Sequence, residues 1–394
     1  MIITDRYQKI VSLTLLIGLL CFLSGFFWQS SFSRLHTLYF ILVVLPSLLL
    51  IPVFIKEQLH HNQLFIVIVV FCLYSLLSLF WTADFQIDFI AKYLKRVLAL
   101  LILFYAVYHT LLKYPDSEKI MFILLMLSGS TLASYSITHH IQSSFTGRLE
   151  LWGGLSDYIS SASVYGVLFL LVAKAYLLEK NKYLMLVYLL LALLFILEMM
   201  MTQSRGPQLA LVLSTPLLFF FIKPVELKRV YYPLIALALF VLALLIFSNI
   251  FEVIFARGFH LSYRDLIWQD SINLSLEKPF LGYGLGTTFE FFIPDYEMMV
   301  SHSHNVLLST WLYTGVIGLS LFLSIIVLAL KQCVSDKNQP YAFLAVILIF
   351  GLLCLLTNGS YPISRANERW FIFWIPLAFI IAHSIISKKQ MSTE

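Results

Sequence analysis

Charge is what this chain has least of. Asp, Glu, Lys and Arg make up 12% of its 394 residues, against 60% hydrophobic residues, and the mean hydropathy is +0.89. That composition excludes a soluble globular domain of this length and indicates an all-α, polytopic membrane protein, a single integral membrane domain over 1–394. Net charge is only +5, too mild for a nucleic-acid-binding surface and in keeping with lysines that face anionic membrane lipids. Cysteine is scarce as well. Cys21, Cys72, Cys333 and Cys354 lie in or beside apolar runs, with no metal spacing and no disulfide framework, and read as small packing residues. There is no Gly-Lys-Ser/Thr ending of a P-loop, no dinucleotide fingerprint, no serine nucleophile elbow and no His-x-x-x-His or Cys-x-x-Cys pair. No metal site and no cofactor are therefore expected.

What is present is a series of long apolar runs, about twelve of them, each able to span or nearly span a bilayer. They cover 10–27, 37–55, 64–80, 97–112, 120–137, 158–178, 183–201, 207–222, 231–247, 306–330, 341–356 and 370–386. Arg6 and Lys9 precede the first, and no small-residue cleavage site follows it, so an uncleaved first helix is expected. Short polar breaks at 179–182 and 202–206 read as tight helical hairpins. One connection is long: 248–303 holds most of the polar chemistry, with short helices expected in it.

Placing both termini in the cytoplasm puts fifteen Lys and Arg inside and eleven outside, the direction that the positive-inside bias favours. The types divide more sharply than the totals. Inside are thirteen Lys and two Arg; outside are eight Arg and three Lys. Arginine offers a flat, permanently charged fork that holds phosphate oxygens in pairs, whereas lysine is a point charge. An arginine-rich outer face suits a polyanionic ligand; contact with lipid headgroups or with Asp265, Asp270, Glu297 and Glu368 is the plainer alternative.

The chain is organised around Ser301-His302-Ser303-His304-Asn305, which opens the run from Val306. As a pattern it is His-Asn, nine residues, Gly315, two residues, Gly318. Imidazole is the side chain best suited to proton transfer near neutral pH. On a continuous helix His304, Leu308, Trp311 and Gly315 share one stripe, and Gly315 and Gly318 let a neighbouring helix approach. An interfacial histidine that only caps a membrane helix is the alternative.

Arg205 lies in Thr202-Gln203-Ser204-Arg205-Gly206-Pro207. Pro207 suits a first helical turn, so free N–H groups there would join Arg205 in holding an anion. Tyr263-Arg264-Asp265-Leu266-Ile267-Trp268 opens a segment whose Leu266, Ile267, Ile272, Leu274 and Leu276 predict a helix on the membrane surface. Gly282, Gly284 and Gly286 at alternate positions allow unusual backbone angles; a flexible connector is the first reading of that stretch. Arg148 and Arg369 also belong to the outer arginine set, and either could complete a cluster.

These motifs together resemble those of the bacterial O-antigen ligases, which share a membrane superfamily with O-antigen polymerases and protein O-oligosaccharyltransferases. The resemblance covers the whole chain, with His304-Asn305, Gly315 and Gly318 as the sharpest match. Ser204-Arg205-Gly206, Arg264 with Trp268, and Pro279 through Gly286 support it. The short segment after Ile386 counts against the protein-modifying branch. The resemblance implies a multi-pass protein of the Gram-negative inner membrane with both termini cytoplasmic and a periplasmic active site. It implies undecaprenyl-pyrophosphate-linked O-polysaccharide as donor, lipid A–core as acceptor, and metal-independent inverting transfer. In that scheme His304 is the general base, neutral at rest, and Arg205 and Arg264 bind the pyrophosphate. Arg148, Asn305, Arg369 and His302 are further candidates for substrate binding, Asn305 alternatively as a helix cap. The nearest rival is an O-antigen polymerase using the same donors; a transporter or flippase of a lipid-linked anion is the rival of another class.

Overall fold

In hydrocarbon each backbone N–H and C=O must find a partner within the protein, and a helix provides it segment by segment. The protein, seen in a computed structural model that describes residues 5–54, 58–83, 85–142, 147–149, 151–222, 263–293, 297–335 and 340–391, follows that rule. Its principal helices are α1 Asp5–Trp28, α2 Phe32–Leu49, α3 Gln63–Leu77, α4 Ile87–Lys113, α5 Ser117–Gln142 and α6 Tyr158–Leu178. They continue as α7 Lys182–Met201, α8 Arg205–Ser214, α9 Arg264–Glu277, α10 Val306–Ser335, α11 Leu344–Asn358 and α12 Ile375–Met391.

Among the described residues, eight helices are long and apolar enough to cross a membrane. The expected run 207–222 is instead divided: α8 ends at Ser214, and a tighter turn at Thr215–Leu217 forms around Pro216, which cannot donate into an α-helix. The run 341–356 is α11, with 15 residues; at the usual rise that is about 22 Å, short of a bilayer core of about 30 Å. The expected span 231–247 and the loop's first part, 248–262, lie outside the described residues. The long loop also departs from an all-helical expectation. Phe291–Ile293 (β1) pairs antiparallel with Met298–Val300 (β2), and Phe291 and Ile293 turn into a small core with Ile267, Phe289 and Leu312.

Large aromatic side chains knit the main core. Tyr39 and Trp370 are fully buried, their rings 5.3 Å apart, with Phe22 4.7 Å from Tyr39. Tyr39 donates its hydroxyl to the Ala99 carbonyl at 2.8 Å, tying α2 to α4. The indoles of Trp370 and Trp374 donate to the carbonyls of Ser364 and Pro362, fixing the connector between α11 and α12.

Two helices carry the same irregularity. Phe40–Val44 within α2 and Trp370–Trp374 ahead of α12 are π-turns. Each is followed by a proline, Pro46 or Pro376, whose missing N–H frees the carbonyl four residues back, Leu42 or Ile372. Each freed carbonyl faces a glycine on a neighbouring helix: a Cβ at Gly18 would strike the Leu42 oxygen, and one at Gly351 the Ile372 oxygen. The glycine gives that oxygen a close Cα–H neighbour in place of the lost N–H.

The break that positions the site is in α10. Gly315 has φ 64 and ψ −171, a region open essentially to glycine alone. The stripe from His304 to Gly315 is therefore not one continuous helix face. The Pro279–Gly286 stretch fills the break. Pro279 O accepts from Val316 N at 2.8 Å and from the Trp311 indole at 3.1 Å. Tyr283 N and Gly284 N donate to the carbonyls of Leu312 and Tyr313. On its other side Leu285 N and Gly286 N donate to the hydroxyls of Ser78 and Thr82. The expected flexible connector is thus a fixed backbone insert between α3 and α10. What approaches Gly315 is this loop rather than a helix, and Gly318 lies against Tyr74 of α3.

Replacing Gly18 or Gly351 by leucine should cost about 1–3 kcal/mol through overpacking, read as a lowered thermal midpoint in detergent; an unchanged melt would refute the carbonyl–glycine contact. Gly315→Ala should release the insert and speed limited proteolysis within 263–303, and equal cleavage rates would show that the positive φ is not what seats the loop.

Candidate active site

The turn before α10 is built by its own polar side chains. Asn305 Oδ1 accepts from Leu307 N at 2.9 Å and Leu308 N at 3.2 Å, so it caps the helix. Ser303 is buried and bonded to Ser309 Oγ at 2.8 Å. Between them His304 is held at φ 51, a left-handed conformation that costs about 1 kcal/mol for a residue with a Cβ. The strain turns His302 and His304 to the same side, ring centroids 4.0 Å apart. His302 Nδ1 accepts from the His304 backbone N–H at 3.2 Å. His304 Nδ1 bonds Asn358 Oδ1, at the end of α11, at 2.8 Å. Since Oδ1 accepts, His304 donates through Nδ1–H, and its lone pair is on Nε2.

Positive-φ non-glycine residues recur beside the other candidates: Gln203 two residues before Arg205, and Tyr263 immediately before Arg264. Such strain gathers where side chains must be aimed. Arg264 opens α9 and its charge acts on His304. Among the described residues, its Nε and the Trp268 Nε1 one turn on are both buried with no hydrogen-bond partner. Arg205 is exposed at the start of α8, with Pro207 in the first turn as expected. Gly206 packs against Thr357, next to Asn358, which brings the Arg205 turn beside His304's partner. Arg148 splints that turn: Nε donates to Thr202 O at 2.8 Å, Nη2 to Ser204 Oγ at 3.1 Å, and the guanidinium lies 3.8 Å from the Tyr158 ring centroid. Arg369 pairs with Glu368 at 3.4 Å and acts on both histidines.

Burial lowers the His304 pKa from its ordinary 6.5, the Asn358 bond opposes this, and Arg264 and Arg369 add to it. Burial, with His304 and Arg369, pushes His302 down to about 4. Both rings are neutral at pH 7. The structure therefore gathers His302, His304, Arg264, Arg369, and the Arg205 turn with its Arg148 splint at one end of the helices. Sequence reasoning missed Asn358, whose only signal is an Asn-Gly pair closing an apolar run. It also missed Asp157, which caps α6 through Ser160 N at 2.8 Å and acts electrostatically on His304 and Glu368. The helix over 264–277 is present, but Ile267, Ser271 and Ser275 face inward while Leu266, Ile272 and Leu276 stay exposed.

Comparison with known proteins bears on what this cluster is. Residues 188–323, which include Arg205, Arg264, the histidine pair and Gly315, match a family model described as O-antigen ligase. An O-antigen ligase of Pseudomonas aeruginosa is 31% identical over 370 residues, covering 93% of this chain and 89% of that protein. This chain belongs to the O-antigen ligase family. A ComP-specific O-oligosaccharyltransferase of Acinetobacter baylyi is 28% identical over 261 residues, 61% of this chain and 44% of that protein. That relative's name specifies ComP, so likeness to the two proteins does not by itself assign an acceptor here.

Neutral imidazole is the form that reacts with diethylpyrocarbonate. Because His304 has a lowered pKa, its modification, followed by peptide mass spectrometry, should stay above half-maximal as pH falls through 6.5. Arg264→Gln should move that midpoint upward, since it removes a charge that opposes protonation. A midpoint above 6.5 in the unaltered protein would contradict the neutral assignment.

Proposed function

We propose that this protein is an O-antigen ligase that transfers O-polysaccharide from undecaprenyl pyrophosphate to a sugar hydroxyl of lipid A–core, at the periplasmic face of the bacterial inner membrane. The carrying observation is the pair of buried donors, Arg264 Nε and Trp268 Nε1, that have no partner among the described residues, with Arg264 acting on a neutral His304. Buried donors without partners are costly unless a ligand's acceptors meet them. A pyrophosphate supplies oxygens and charge together.

In this reading the acceptor hydroxyl oxygen attacks the anomeric carbon in line, and the bond from that carbon to the pyrophosphate oxygen breaks. The hydroxyl proton passes to His304 Nε2, the nitrogen left with a lone pair by the Asn358 bond. Charge gathers on the leaving pyrophosphate, where Arg264, and Arg205 at the N-terminus of α8, stabilise it. Direct displacement inverts the anomeric centre without a covalent enzyme intermediate. Asn358 and Asp157 orient and poise the base; Arg148 shapes the Arg205 turn. The division of lysine and arginine between the two sides supports cytoplasmic termini and a periplasmic site.

The deciding experiment resolves lipopolysaccharide and the lipid-linked donor pool from a null strain that carries either unaltered protein or His304→Ala. Unaltered protein should restore long polymer on core. His304→Ala should leave core bare and polymer on its carrier, with transfer down by about 10²–10⁴-fold, the usual contribution of a general base. Transfer at the unaltered rate would remove His304 from the mechanism. Core bearing a single repeat unit in the null would make the protein a polymerase instead.

A further inference from the structure

A second group of cations lies at the same end of the molecule and is not used by the mechanism above. Arg96, on the polar first half of α4, is half-buried with its guanidinium 4.9 Å from the Tyr93 ring centroid. Arg365 stands on the connector between α11 and α12, where Nη1 donates to Ser33 Oγ at 2.6 Å and the next residue's N–H bonds His36 Nδ1 at 3.2 Å. Lys95 is 4.5 Å from the Phe40 ring centroid. Arg365 and Arg369 both act electrostatically on Arg96. Among the described residues no carboxylate reaches salt-bridge distance of Lys95, Arg96 or Arg365, while the neighbouring Arg369 pairs with Glu368.

Like charges held together and partly desolvated repel one another, and a folded chain tolerates the arrangement when an anion neutralises it. Lys95, Arg96 and Arg365 all act on His36, Arg264 acts on His304, and Arg369 acts on both His304 and Arg96. Arg369 therefore stands between the Lys95–Arg96–Arg365 group and the histidine that Arg264 reaches. Tyr93, partly buried beside the Arg96 guanidinium, offers an apolar face and a polar edge suited to a sugar ring. A transferase must hold two polar substrates on opposite sides of its base, and the donor's pyrophosphate has already been given to Arg264 and Arg205.

We propose that Arg96, Arg365 and Arg369 form a second anion subsite, separate from Arg264, that holds a phosphate group on the saccharide head of the acceptor lipid. This rests on the ligase reading, from which the existence of an acceptor lipid follows. Guanidinium forks favour a phosphate monoester there over a carboxylate-free sugar, and Arg369 passes the acceptor's position on to the base.

The test uses purified full-length protein, lipid-linked donor, and lipid A–core before and after enzymatic removal of its phosphates. Arg96→Gln and Arg365→Gln should each raise KM for the phosphorylated acceptor about tenfold, the effect of losing one good charge-assisted contact, and leave the donor KM where it was. With phosphate-free acceptor both variants should match the unaltered enzyme, and Arg96→Lys should recover part of the loss. A raised donor KM, or an equal loss on phosphate-free acceptor, would overturn the subsite. So would a loss that tracks the content of anionic phospholipid in reconstituted vesicles, because the cluster would then hold bulk lipid. Transfer by the unaltered enzyme with no change of acceptor KM in the variants refutes the subsite alone; no transfer by the unaltered enzyme refutes the ligase reading beneath it.

Discussion

A backbone amide or carbonyl without a partner in hydrocarbon costs several kilocalories per mole, and the architecture follows from that constraint. Where the helices are regular the rule satisfies itself. Where they are broken, at Pro46, Gly315 and Pro376, a neighbouring backbone has to come close, and glycine is the residue that lets it. The break in α10 matters most. It accepts Pro279–Gly286 as though that stretch were part of the helix bundle. The insert follows the C-terminal end of α9, and the opposite end of α9 brings Arg264 within electrostatic reach of His304. A hydrogen-bonding requirement inside the helices thus sets the position of a charged group outside them.

The second governing factor is electrostatic. A histidine surrounded by arginines and partly removed from water stays neutral, the form a base must have. The same arginines that keep it neutral are suited to take up the charge of a pyrophosphate. Under the proposed function one arrangement would serve both halves of a glycosyl transfer: proton removal from the nucleophile and stabilisation of the leaving group. Asn358 completes it by fixing the tautomer. The left-handed backbone at His304 is the local strain that this aim requires, and the Asn305 cap and the buried Ser303–Ser309 bond hold it in place.

Much of this was legible in the chain. Apolar runs located the helices, because burial in lipid demands length and composition that can be counted. His304 was visible as a titratable group at the mouth of such a run, and Arg205 beside Pro207 as the start of a helix. Arg148 was legible only as one more arginine; its splinting of Thr202 and Ser204 depends on two loops meeting 54 residues apart in sequence. Asn305 left two readings open, and its two bonds to Leu307 and Leu308 are those of a cap. The glycines at 282, 284 and 286 suggested flexibility, since sequence cannot tell a glycine that frees the chain from one that admits another chain.

The sequence by itself determined a helical membrane protein and the residue types available for chemistry. These are properties of composition and of neighbours along the chain, and they need no knowledge of what packs on what. Only the tertiary structure decided that Asn358 bonds His304, that α10 breaks at Gly315 to admit a loop, and that Arg369 acts on both His304 and Arg96. Each of those depends on segments remote in sequence, brought together by the packing of large aromatic side chains and by the need to satisfy every buried polar group at once.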